Sequence, residues 1–179
     1  MTKRITIRGQ SDIEYYRKLL LDSSAETRLR MGKLTETSDP FELLYQMKFA
    51  KVGCDPIDST RRLNLIEQLN QTFTYAASLK AAEYLLQHHT AISPLTLNLG
   101  TTSGWDIQGE KNGGVVAEVF AAVNPQNNGK IEKDIAKVAK ANALHRYVFF
   151  MCPGIGFGPY QESHGHHGIQ VVSLGCDLK

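Results

Sequence analysis

The stretch that decides the fold runs from Trp105 to Lys130 and reads WDIQGEKNGGVVAEVFAAVNPQNNGK. Its apolar run, Val115–Val123, predicts a strand buried on both faces. The glycine-rich segment Gly109–Gly114 tolerates positive φ and predicts a tight turn, so the residues before it form an antiparallel partner strand. Glu118 lies inside the apolar run, where a carboxylate needs a partner or a cation.

Asp106 is the predicted partner of Glu118 across this hairpin. A turn near residues 110–113 pairs residues whose numbers add up to about 223 or 224, and those of Asp106 and Glu118 add up to 224. Two carboxylates this close repel each other unless one is protonated or a cation lies between them. Oxygen ligands without a nearby thiolate favour Mg²⁺ or Mn²⁺. The alternative is that Glu118 points to the exposed face of an edge strand, but the apolar residues around it favour the metal site.

The rest of the chain predicts an α/β fold with a helical N-terminal half and a mixed β-sheet flanked by helices. Helices are predicted to start near Ser11 or Asp12, at Ser38–Pro40 and at Asp58–Thr60, the last running to about Gln87. Strands are predicted over residues 95–99, 147–152 and 169–174, and a basic helix follows Asn128. We expect one domain over residues 1–179, mainly helical over 1–90, with the sheet and one helix over 91–179.

A helix, Asp106 at the base of a hairpin, Glu118 in an apolar strand, a basic helix and another apolar strand follow one another between residues 60 and 152. This layout resembles that of the PD-(D/E)xK nuclease superfamily, which includes restriction endonucleases and repair nucleases. The resemblance implies a restriction-endonuclease-like fold, a metal-dependent nuclease acting on DNA, and metal-binding roles for Asp106 and Glu118. It also implies an assisting role for a Glu on the first core helix, here Glu67, for which an exposed helix charge is the alternative.

The sequence departs from the family pattern at two positions. Trp105 stands where the family has proline, and Phe120 stands two residues after Glu118, where the family has its lysine. A phenylalanine cannot orient or deprotonate a water molecule. Either the protein is a catalytically inactive nuclease-like fold that serves as a DNA-binding or assembly module, or the cation comes from elsewhere. Some family members carry the lysine on the following helix, where Lys130 and Lys133 lie.

Helix phase favours Lys130 as this cation. Ile131, Ile135 and Val138 predict the buried stripe of the helix, and Lys130 borders that stripe more closely than Lys133. Lys130 is also nearest to the N-terminal end of the helix, so its side chain can cross back over the end of the strand. For Lys133 a solvated helix charge is the preferred interpretation.

Composition and charge permit a nuclease without requiring one. Apolar residues make up 42% and charged residues 21%, which is typical of a globular domain, and the net charge of +2 neither demands nor excludes a nucleic-acid partner. Residues 130–146 carry five Lys or Arg against two Asp or Glu, which suits a phosphodiester substrate, although a solvated lysine-rich helix looks the same. Three cysteines without a CxxC pair predict a cytoplasmic protein, and no apolar run predicts a membrane span.

Two further motifs carry less information. The segment His164–His167 holds three histidines, but no cysteine spacing matches a zinc site. The segment Gly154–Gly158 lacks the spacing of a nucleotide-binding loop.

A metal-dependent hydrolase of another phosphoester is a third hypothesis. Because one site cuts one strand, double-strand cleavage requires a homodimer or two sequential nicks.

Overall fold

The computed structural model describes residues 3–37, 39–89, 91–100, 103–111, 114–160 and 168–177. The chain divides into two compact units, Met1–Ile13 with Ala77–Lys179, and Glu14–Ala76, which are described separately. The single domain that the sequence predicts stays a prediction. In chain order the elements are β1 (Arg4–Ile7), α1 (Gln10–Thr37), α2 (Pro40–Phe49), β2 (Gly53–Asp55), β3 (Asp58–Leu63), α3 (Leu65–His88), β4 (Leu95–Asn98), β5 (Ile107–Gly109), β6 (Val115–Ala121), α4 (Lys130–Val138), β7 (His145–Met151), β8 (Gly158–Pro159) and β9 (Ile169–Ser173).

The first unit is built on a sheet that has seven strands among the described residues. Their order is β1-β4-β5-β6-β7-β9-β8. In this order, neighbouring strands among β1, β4, β5 and β6 pair antiparallel. Strands β6, β7 and β9 pair in parallel, and β8 lies antiparallel to β9 at the far edge. The sheet is therefore mixed, which confirms the predicted α/β fold class.

Helices cover both faces of the sheet at β6 and β7, because these strands are apolar on both sides. On one face, β6, β7, β9 and α4 enclose an apolar cluster. Its buried members are Val116, Phe120, Ile131, Ile135, Val138, Val148, Phe150, Cys152 and Val171. On the other face, the ring of Tyr84 from α3 lies edge-on to the ring of Phe149 at 5.3 Å between centroids. The arrangement confirms a sheet flanked by helices and leaves little room for a polar side chain in β6.

The second unit contains a two-stranded sheet, formed by β2 and β3, that the sequence analysis did not predict. The prediction that Asp58–Thr60 opens a helix is wrong, because these residues begin β3. Helix α3 begins at Leu65, after Asn64. The side-chain Oδ1 of Asn64 accepts the N–H of Glu67 at 2.8 Å, and Glu67 Oε2 accepts the N–H of Asn64 at 3.4 Å. This reciprocal capping fixes the start of the helix.

In the first unit, His89 lies against two residues of β7, His145 and Tyr147. His89 Nε2 and the Tyr147 hydroxyl share a hydrogen bond of 2.7 Å, and the rings of His89 and His145 lie 3.9 Å apart. Burial, followed by the charges of His145 and His88, lowers the pKa of His89. The unfolded chain therefore binds a proton at this residue at a higher pH than the folded protein does. The contribution of His89 to stability is present above the ordinary histidine pKa of about 6.5 and is lost as the pH falls below it.

We expect His89→Gln to reduce this loss of stability at acid pH. Glutamine keeps a polar group for Tyr147 but cannot be protonated. Urea unfolding of the wild type and the variant at about pH 7.5 and about pH 5 measures the difference. The fall in unfolding free energy between the two pH values should be smaller for the variant, and an equal fall in both proteins contradicts the assignment.

Candidate functional site

Asp106 and Glu118 lie opposite each other on neighbouring antiparallel strands. The register of β5 and β6 pairs Ile107 with Ala117, and Asp106 directly precedes β5, so it is set against Glu118. This is the register that the hairpin predicts. Opposed residues of an antiparallel pair project from the same face of the sheet. Asp106 also ties the strands together, because its Oδ2 accepts the N–H of Val119 at 2.9 Å.

Glu118 is buried beneath α4, with only 3% of its surface exposed. On β6 its side chain lies between those of Val116 and Phe120, which point to the same face of the sheet and pack against the same helix. The ammonium of Lys137, in α4, donates to Glu118 Oε2 at 2.7 Å. The same ammonium lies 5.7 Å from the centre of the Trp105 ring. In the described part of the chain, Glu118 Oε1 has no hydrogen-bond partner. One carboxylate oxygen is therefore satisfied and the other is not.

Lys130, the cation that helix phase favours, makes a different contact. Its Nζ donates to Asp134 Oδ1 at 2.6 Å and lies 5.7 Å from the centre of the Phe120 ring. Lys133 is exposed on α4. Lys137, and not Lys130, therefore contacts Glu118 in the structure. Lys130 contacts the neighbouring acid, Asp134, and lies on the same side of the helix.

Asp134 is a third buried acid, which the sequence analysis does not assign to the site. It is 3% exposed, and its Oδ2 has no hydrogen-bond partner among the described residues. Its spacing carries the signal that could have identified it. Lys130, Asp134 and Lys137 are separated by four and three residues and so lie on one side of a helix. An acid between two lysines at the edge of an apolar stripe indicates a buried carboxylate.

Burial raises the pKa of all three acids, Asp106, Glu118 and Asp134, which we call the carboxylate cluster. For Glu118, burial and then the charge of Asp106 raise the pKa to about 7, against the hydrogen bond from Lys137. Burial raises the pKa of Asp106 against a backbone N–H and the charge of Lys137. Burial raises the pKa of Asp134 against the hydrogen bond from Lys130. Three carboxylates beside two ammonium groups leave one negative charge unbalanced when all are ionised, so the cluster favours uptake of a proton or a cation.

The donor set fits a divalent cation held by two protein carboxylates. Carboxylate oxygens are the ligands that Mg²⁺ and Mn²⁺ prefer, and the unpartnered Glu118 Oε1 is a buried atom that a cation would satisfy. Within the described segments, no three side chains among His, Cys, Asp and Glu are grouped so that they could hold a metal ion. In the described part of the chain, the protein ligands available to a cation here would be Asp106 and Glu118. With so few protein ligands, an Mg²⁺ ion would need water or other oxygen ligands to complete its coordination.

Two other predicted features stay predictions. Glu67 belongs to the unit Glu14–Ala76, where its carboxylate caps α3, and its assisting role stays a prediction. The segment His164–His167 lies outside the described residues.

Comparison of the chain with protein-family models, with curated proteins and with solved structures gives no match. No helix in the described part of the chain is long and apolar enough to cross a lipid bilayer. The chemistry of the site must therefore be inferred from the carboxylate cluster and its two lysines.

Proposed function

We propose that the protein is a metal-dependent nuclease that hydrolyses DNA phosphodiester bonds, with Asp106 and Glu118 as ligands of Mg²⁺ or Mn²⁺. The state of Glu118 carries the proposal. Its buried carboxylate is set against Asp106, contacts a lysine through one oxygen and has no donor for the other among the described residues. Two acids and a lysine are the groups that define the PD-(D/E)xK pattern, and a restriction-endonuclease-like fold is part of the same proposal.

Lys137 takes the part that the family pattern gives to a strand lysine. Phe120 fills that strand position and packs into the apolar cluster, so the cation arrives from α4 instead. The Lys137 side chain is 44% exposed, so its ammonium can donate to Glu118 and also to a water or phosphate oxygen on the solvent side. A bound divalent ion would supply acidification of a coordinated water and would offset charge that develops on the phosphate.

The exposed part of α4 suits a polyanionic substrate. Lys133 on the helix and Lys140 just after it are exposed, and Lys130 and Lys137 border the carboxylate cluster. Such lysines give affinity for a phosphate backbone that does not depend on base sequence and that weakens as salt is added.

The three cysteines of the chain are free thiols, which supports the reducing cytoplasm as the proposed location.

Incubation with supercoiled plasmid and Mn²⁺ or Mg²⁺ tests the proposal. The wild type is expected to yield nicked and then linear DNA on a gel, and a chelator should stop the reaction. Asp106→Asn should lose at least about a hundredfold in rate, because it removes a charged ligand and leaves one carboxylate to hold the ion. Glu132→Gln, which changes an exposed acid on α4, is the matched control and should cut at the wild-type rate.

A folded wild type that cuts no DNA with either ion contradicts the proposal. The replacement of the family lysine by Phe120 then favours the non-catalytic alternative, a nuclease-like fold that serves as a DNA-binding or assembly module. Hydrolysis of a small phosphodiester such as bis(4-nitrophenyl) phosphate without plasmid cleavage would instead indicate a hydrolase of another phosphoester.

A further inference from the structure

Helix α2 presents an uncovered apolar surface to solvent. None of its residues is buried, and Phe41, Leu44, Tyr45 and Phe49 are between 52% and 80% exposed. These four residues, which we call the α2 surface, recur at helical spacing and therefore lie on one side of the helix. A helix of ten residues is marginal in water by itself and is usually held by burying such a side. The described residues of the unit Glu14–Ala76 leave the α2 surface exposed.

Local capping accounts for the helical conformation of α2. Asp39 Oδ1 accepts the N–H of Phe41 at 2.9 Å and that of Glu42 at 3.0 Å. Pro40 occupies the first turn, where its missing N–H costs no hydrogen bond. At the other end, the N–H of Ala50 donates to a carbonyl of the last turn at 3.1 Å. The α2 surface is therefore formed in advance of any partner.

We propose that the α2 surface binds the same surface of a second copy of this chain, with the two helices antiparallel about a two-fold axis at Tyr45. Positions equally distant from Tyr45 then oppose each other, as a two-fold axis requires. Phe41 meets Phe49 of the second copy, and Glu42 meets Lys48 of the second copy. Each of these pairs occurs twice, so the sequence of α2 is complementary to itself.

The charges of Glu42 and Lys48 favour a second copy of α2 as the partner, and they favour the antiparallel direction of the two helices. Glu42 Oε1 accepts from the side-chain amide of Gln46, which leaves the carboxylate further acceptor capacity. The ammonium of Lys48 lies 5.6 Å from the centre of the Phe49 ring, at the edge of the apolar surface. In a parallel pair, Glu42 would meet Glu42 and Lys48 would meet Lys48, and like charges in contact oppose association. The antiparallel pair converts both repulsions into attractions.

The area of the α2 surface is near the lower limit for a specific dimer. Covering it in two copies buries on the order of 1,000 Å² in total, at roughly 150–250 Å² for each fully buried aromatic side chain. The dimer is therefore expected to dissociate on dilution. The inference does not rest on the proposed nuclease activity, although a dimer would carry the two sites that cleavage of both strands requires.

Sedimentation velocity on the full chain, between about 1 and 100 µM, tests the proposal. The wild type should show a dimer fraction that rises with concentration. Glu42→Lys and Lys48→Glu should each weaken dimerisation at least tenfold, because each creates two like-charged pairs. An equimolar mixture of these two variants should dimerise again, since one carries only positive and the other only negative residues at the two positions. Lys140→Glu, a charge reversal outside α2, is the control and should dimerise as the wild type does.

Because no side chain of α2 is buried, these substitutions should leave the chain folded, which circular dichroism checks. A wild type that stays monomeric up to the highest concentration overturns the proposal. A dimer that neither single variant weakens overturns it as well. A mixture of the two variants that remains monomeric overturns the antiparallel pairing.

Discussion

Glu118→Gln is expected to raise the stability of the metal-free protein at pH 8. The folded protein holds this carboxyl with a pKa of about 7, against an ordinary value of 4.5, because burial and the charge of Asp106 oppose its ionisation. At pH 8 Glu118 is ionised in both the folded and the unfolded states. The ionised carboxylate then costs the folded state about 3 kcal/mol relative to the neutral form. Glutamine is neutral and has nearly the same shape, so it removes this cost.

The sign of the pH dependence distinguishes this cause from a packing effect. Between about pH 4.5 and pH 7 the folded state binds more protons at Glu118 than the unfolded state does. The contribution of Glu118 is therefore fully present below about pH 4.5 and is lost as the pH rises through about 7. The advantage of Glu118→Gln should be large at pH 8 and small at about pH 5.

Thermal unfolding in a metal-free buffer at the two pH values measures this effect. At pH 8 the variant should melt roughly 6–10 °C above the wild type, as expected for about 3 kcal/mol in a chain of this length. Glu132→Gln, at an exposed position of α4, should change stability by less than about 0.5 kcal/mol. A Glu118→Gln variant that is destabilised equally at both pH values would show that the Lys137 ion pair outweighs burial.

Lys137→Met is expected to lower the rate of DNA cleavage by about a hundredfold, the usual cost of removing one preorganised group that stabilises developing charge. Methionine keeps an apolar stem next to the Trp105 ring and removes the ammonium that contacts Glu118. DNA binding should change little, since the loss of one phosphate contact weakens affinity modestly. Comparison of single-turnover rates with binding isotherms separates the two effects.

Two matched variants identify which lysine acts. Lys133→Met removes an exposed lysine of the same helix and should retain nearly full activity. Lys130→Met removes the ammonium that contacts Asp134, and we expect it to lower the rate less than Lys137→Met does. If Lys130→Met has the larger effect, the cation is the residue that helix phase favours, and the contact between Lys137 and Glu118 is structural.

The central hairpin could be predicted because its determinants are local. A glycine-rich turn and an apolar run fix the register of two strands that are joined by a few residues, so the opposition of Asp106 and Glu118 follows from the sequence. Strand β1 was missed because its partner, β4, lies about 90 residues later in the chain and no local pattern indicates the pairing. Strand β3 was missed because its polar residues Asp58–Thr60 imitate a helix cap, whereas Asn64 and Glu67 form the true one.

The cation could be narrowed to one helix but not to one residue. The cation was sought at Lys130 and Lys133, and Lys137 was missed, although it follows Lys130 by seven residues and so lies on the same side of α4, as the structure shows. Which lysine contacts Glu118 depends on the position of α4 along β6, and this position is set by the packing of the apolar cluster. A pattern of one sequence does not contain this position. The buried state of Asp134 was missed although its spacing from Lys130 and Lys137 indicates it.

Calorimetric titration of Mn²⁺ into the wild type, Asp106→Asn and Glu118→Gln tests most directly whether the facing carboxylates hold a metal ion. The wild type should bind the ion at pH 8, and each variant should bind it at least about tenfold more weakly, because each loses a charged oxygen ligand. Binding should also weaken towards pH 6, since a proton on Glu118, whose pKa is about 7, competes with the ion. A wild type that binds no Mn²⁺ at pH 8, or variants that bind it as tightly as the wild type, would contradict the account.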